Sequence, residues 1–95
     1  MGTRSNWQAE APDLIQSELR NRLLGDFDVV KVEPDSFFHE GQEIRYVTVT
    51  FKRGHPRIDT PRFNQIEFAI YDLLEERGFD PVPTIDYRDE EPDSK

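Results

Sequence analysis

Ile15, Leu19 and Leu23 recur every four residues behind Pro12 and Asp13, with Leu14 and Leu24 beside them and Gly25 directly after. A period near 3.6 lays such side chains along one stripe of a helix. Proline suits a first helical position, aspartate the positive end of the dipole and glycine the left-handed residue that ends a helix, so a helix is predicted from Pro12 to Leu24. "FDVVKVE" (27–33) is rich in β-branched residues and predicts a strand that stops at Pro34, which lacks a backbone donor. In "EIRYVTVTFK" (43–52) Val47, Val49 and Phe51 alternate onto one face, and Tyr46, Thr48 and Thr50 onto the other. That period of two predicts a strand with a core face and a semi-polar face. The link "PDSFFHEGQ" exceeds a tight hairpin turn, so Phe37 or Phe38 is expected to fold back over the core.

A second helical stripe follows. Asp59 or Thr60 caps it, Pro61 occupies its first turn, and Phe63, Ile66, Ile70, Leu73 and Leu74 form its apolar face. Gly78 ends it, and Phe79 packs back near Leu74 as in a glycine-terminated cap. "PVPTIDY" (81–87) predicts a short strand that Pro81 and Pro83 confine to a sheet edge.

These elements predict an α+β fold, a two-layer sandwich in the order α-β-β-α-β whose three-stranded mixed sheet carries two helices on one face. A right-handed crossover through the second helix makes the last strand parallel to the second. Residues 1–11 lack periodicity, hold only Trp7 as a large apolar group and are read as a flexible N-terminal arm. Residues 12–88 form the single domain, and 89–95 a disordered acidic tail.

Composition narrows the chemistry. With 95 residues and no cysteine the chain is one domain without disulfides, thiolate nucleophiles or thiolate metal sites. Its apolar runs are far short of the ~20 residues that span a bilayer, and "MGTRSNWQAEAP" has no leader-like apolar core, so a cytoplasmic protein without a membrane role is expected. Twelve Lys and Arg against 20 Asp and Glu give a net charge of −8, which opposes nonspecific approach to nucleic acid. The charge is uneven. "KRGHPRIDTPR" (52–62) holds Lys52, Arg53, Arg57 and Arg62 against Asp59 alone, so this segment is +3 and the other 84 residues −11.

The basic segment could bind an anion, since arginine forks fit phosphate or carboxylate and a helix N-terminus adds backbone donors. The plainer reading is a solvated loop that compensates the protein's own acids, because no glycine nest accompanies it. His39 with Glu40 and Glu43 lacks a third and fourth metal ligand at a regular spacing, and His55 between Gly54 and Pro56 has the setting of a turn. No nucleophile elbow or phosphate loop is present. The acidic tail could mimic nucleic acid, but terminal charge runs are usually solvated ends.

The element order, together with "DSFFH" after the first strand, resembles the BolA-type and class II KH layouts over about residues 13–87. "KRGH" has one glycine where KH domains use two to clamp a nucleic-acid backbone, and "RFNQ" and "PVPT" stand where the BolA family carries histidines. The resemblance therefore implies a layout and neither function. What remains is a non-enzymatic protein-interaction module without cofactor or metal, expected to be homodimeric. Its surface would join the open sheet face (Tyr46, Thr48) to the basic loop (Lys52, Arg53, His55, Arg57, Arg62). The alternatives are anion or KH-like nucleic-acid binding through the loop and an acidic inhibitor or nucleic-acid mimic.

Overall fold

The computed structural model describes residues 6–23 and 25–91. Helix α1 (Trp7–Arg22), strands β1 (Val29–His39) and β2 (Gln42–Phe51), helix α2 (Thr60–Glu76) and strand β3 (Thr84–Asp89) follow in that order. The sheet order is β1-β2-β3, with β1 antiparallel and β3 parallel to the central β2. This is the predicted α+β arrangement. Both helices lie over one face, where Ile15, Leu19, Ile70 and Leu74 enclose Val47, Val49 and Phe51 in a single core.

Helix α1 begins five residues earlier than Pro12. Trp7 is 5% exposed and belongs to the core, and Ala11 is fully buried, so residues 7–11 are helix and not arm. The buried stripe is Trp7, Ala11, Ile15, Leu19 and Leu23, one spacing of four continued backwards past the proline. Pro12 therefore sits inside the helix, at a cost of about 3 kcal/mol for its missing bond, which burial of the indole offsets. Arg45 lies over the Trp7 ring, its Cζ 5.0 Å from the centroid. The arm expected at residues 1–5, the tail at 92–95 and the role given to Leu24 lie outside the described residues.

Strand β1 is also longer than expected. It passes through Pro34 to His39 and turns at Glu40 and Gly41, whose φ values of 55° and 82° belong to a two-residue hairpin loop. β1 is an edge strand, where a proline can turn its bare nitrogen to the open side. Phe37 and Phe38 are thereby held in a ladder, 51% and 74% exposed, and neither folds back over the core. A bulge at Val30 shifts the register so that Val29 faces the core and Lys31 the opposite side.

Helix α2 follows its prediction closely. Gly78 N–H reaches Glu75 O at 3.0 Å and Phe79 N–H reaches Leu74 O at 3.1 Å, the paired bonds of a glycine-terminated cap. Asp59 precedes the helix but caps it through its backbone carbonyl, which accepts Phe63 N–H at 2.9 Å. No described helix is long and apolar enough to cross a membrane.

Candidate interaction surface

Because side chains alternate along a strand, the sheet face away from the helices is set by register. It consists of cross-strand rows: Lys31, Thr50 and Arg88; then Glu33, Thr48 and Asp86; then Asp35, Tyr46 and Thr84; then Phe37 and Ile44. Tyr46 and Thr48 are half-buried among these neighbours. The Tyr46 hydroxyl donates to Asp35 Oδ2 at 3.1 Å, and its ring centroid lies 6.0 Å from that of Phe37. The Asp35 bond holds the Tyr46 phenol above its ordinary range.

Thr50 departs from the expected open position. It is 2% exposed, and its Oγ1 has no hydrogen-bond partner among the described residues. It lies at the floor of a cleft of about 530 Å³ between Lys31 and Arg88, with Val30, Glu90 and Glu91 at the rim. Its neighbours' long aliphatic stems explain the burial.

The outer edge of β1 is blunted. Pro34 has no N–H to offer, and two residues on, the Ser36 N–H is taken by its neighbour's Asp35 Oδ1 at 2.8 Å. Another chain's strand would find little to pair with there.

The basic loop divides into committed and free groups. His55 Nδ1 lies 2.7 Å from Pro56 O and Nε2 2.6 Å from Asp89 Oδ1. Both partners are acceptors, so the geometry favours the protonated imidazole, in which both ring nitrogens donate. Asp89, with the Pro56 carbonyl second, raises its pKa above the ordinary value against the opposing effect of burial. The ring packs on Phe27 and Phe51, with centroids 4.8 and 5.5 Å away, and its side chain is 12% exposed. Arg62 is committed too, donating to Asp26 Oδ2 at 3.5 Å and to Arg22 O at 3.3 Å. Of the expected binding residues, His55 and Arg62 thus make contacts within the chain, His55 nearly enclosed and Arg62 still partly exposed. Lys52, Arg53 and Arg57 stay exposed, with no side-chain ion pair among the described residues.

The segment after β3 is likewise not a loose acidic tail where it is described. Asp89 ends β3, Glu90 N–H bonds Phe51 O at 2.9 Å, and Glu90 Oε2 accepts Arg53 N–H at 3.3 Å. Parallel pairing sets Asp89 beside Phe51, so the acids that follow β3 arrive where the bases that follow β2 begin. Only the register shows this, since 37 positions separate Arg53 from Glu90.

Deeper in the core, Tyr87 stacks on Phe51 at 5.7 Å, and its hydroxyl is buried without a partner among the described residues. Burial, and then the Glu67 carboxylate close by, push this phenol far above its usual range. Tyr71, raised chiefly by burial, accepts Ile85 N–H at 3.1 Å. Both phenols are therefore neutral packing groups. His39 stands 3.8 Å from Glu40 on the exposed hairpin, and no three His, Asp or Glu side chains converge to hold a metal among the described residues.

Compared with known proteins, the chain matches no family model and has no significant match among curated proteins or solved structures. The resemblance to BolA-type and KH layouts thus rests on element order, with Ser36 and His39 both on the edge strand.

Proposed function

We propose that the protein is a small, non-enzymatic, cytoplasmic protein-interaction module, homodimeric, that receives protein on its open sheet face and the adjoining bases Lys52, Arg53 and Arg57. The observation that carries this reading is the one-sided cover of the sheet. Both helices pack against Val47, Val49 and Phe51, which leaves Tyr46, Phe37 and Ile44 facing outward toward the hairpin end of the sheet, with the exposed cations Lys52, Arg53 and Arg57 following β2 at its other end. Such a mixture of aromatic, β-branched and charged groups has the character of a protein contact surface. The ties of His55 to Asp89 and Pro56 speak against proton transfer at that ring.

Affinity capture with the wild-type chain and with folded Tyr46→Asp, compared protein by protein, tests the reading. Captured proteins should fall by about tenfold with the variant, the scale of losing one anchor residue. An identical captured set would defeat it. Anion binding through the loop is the weaker reading, because two of its five cationic groups, His55 and Arg62, are tied internally and Glu90 occupies the Arg53 amide. Heparin retention that falls steeply with salt, and vanishes with Arg53→Glu and Arg57→Glu, would favour it instead.

A further inference from the structure

The open face has a charge order that is complementary to itself. Lys31 and Arg88 flank Thr50, and one row further along Glu33 and Asp86 flank Thr48. A row of two cations and a row of two anions therefore lie about 6.8 Å apart, each centred on a threonine. Resting on the interaction reading above, we infer that the partner of this face is a second copy of the chain, related by a twofold axis that runs across the strands between the Thr50 and Thr48 rows.

The alternatives are set apart by charge. That axis lays each strand antiparallel over its own copy, so Lys31 meets the partner's Glu33, Arg88 meets the partner's Asp86, and each pair occurs twice. Thr50 lies level with the partner's Thr48, but its hydroxyl is enclosed and the contact there is made by the flanking Lys31 and Arg88. The next row brings Tyr46 over the partner's Lys52, which draws the start of the basic loop into the same contact, and sets Asp35 toward the partner's Asp28, an opposing pair at the rim of the overlap. An axis along the strands would set Lys31 over the partner's Arg88 and Glu33 over the partner's Asp86, like charge on like. An axis shifted by one row would set Glu33 over the partner's Asp35. Edge-to-edge pairing through β1 is obstructed by Pro34 and by the Asp35 bond to Ser36 N–H.

Within one chain these charges are only loosely held: Lys31 to Glu33 at 3.8 Å and Arg88 to Glu91 at 3.7 Å, all well exposed. They are free to exchange for partners across an interface. The overlap about this axis, three strands over the four levels from Tyr46 to Lys52, is about 400 Å², roughly half of what a standard interface buries on each side. The dimer is accordingly weak, and it weakens with salt.

Sedimentation equilibrium across a concentration series is the test, with circular dichroism to confirm folding. Arg88→Glu alone, or Asp86→Arg alone, sets like charges together twice and should raise the dimer dissociation constant by at least about tenfold. The double variant R88E/D86R restores the pairing and should return within about threefold of wild type. K31E, E33K and their double variant repeat the experiment on β1, independently of β3 folding. Raising ionic strength from about 0.05 to 0.5 M should weaken the wild-type dimer. A chain monomeric throughout, or a dimer indifferent to both swaps, overturns the inference. A chain monomeric throughout would also remove the homodimer from the reading above, whose remaining part, the capture of other proteins, is judged by the Tyr46→Asp experiment and fails on an identical captured set.

Discussion

His55 has acceptors on both ring nitrogens, Pro56 O and Asp89 Oδ1, which favours its protonated form in the wall of an aromatic cluster. Its folded pKa lies above the ordinary 6.5. A raised folded value means that the clamp stabilises fully below the unfolded pKa and is lost as pH rises through the folded one. Thermal unfolding should therefore show stability declining from about pH 6.5 upward, and His55→Gln or Asp89→Asn should flatten that decline; an unchanged slope would remove the clamp as its cause. Sequence alone placed His55 in a turn between Gly54 and Pro56, whereas the structure has the turn at Arg53 and Gly54 with His55 directly after it. Its partner was illegible, since 34 positions separate it from Asp89 and only strand pairing joins them.

At the scale of elements, α1 shows how a local rule is overridden. Pro12 marks a favoured first position, yet Trp7 and Ala11 already lay on the four-residue stripe, and burial of a large indole outweighs one missing backbone bond. Trp7→Ala should cost about 3–5 kcal/mol in denaturant unfolding, as for a core aromatic, whereas an idle side chain would cost almost nothing. In the β1–β2 hairpin the other local rule failed: Pro34 does not end a strand whose outer edge needs no donor there. Glu40 pays a left-handed cost at φ 55° that asparagine meets more readily. Glu40→Asn should accordingly stabilise by about 0.5–1 kcal/mol, read as a shift in denaturant midpoint with unchanged slope. Helix α2 and its Gly78 cap were legible because period, proline and glycine agreed within one contiguous segment.

For the whole molecule, a charge of −8 on 95 residues opposes compaction. At concentrations low enough to keep the chain monomeric, sodium chloride should raise its melting temperature by about 3–6 °C as it screens that repulsion. The same salt should weaken the proposed dimer, and the opposite signs separate fold from association. The fold also redistributes the asymmetry seen along the chain, because Asp89 and Glu90 come to lie against the basic loop. The loop is thus partly compensated from within, and Lys52, Arg53 and Arg57 are the cations left outward.

Periodicity and turn residues by themselves determined the order of elements, the central strand's two faces, the second helix with its cap, and the parallel placement of the last strand. Those features depend on interactions a few residues apart or on a general rule of handedness, so a one-dimensional pattern carries them. Tertiary structure alone decided that Trp7 is core, that Thr50 is enclosed with its hydroxyl unmatched, that His55 and Arg62 are ties, and that cationic and anionic rows lie side by side on the free face. Each of these depends on which distant residue the register sets opposite, and register is a property of the packed sheet.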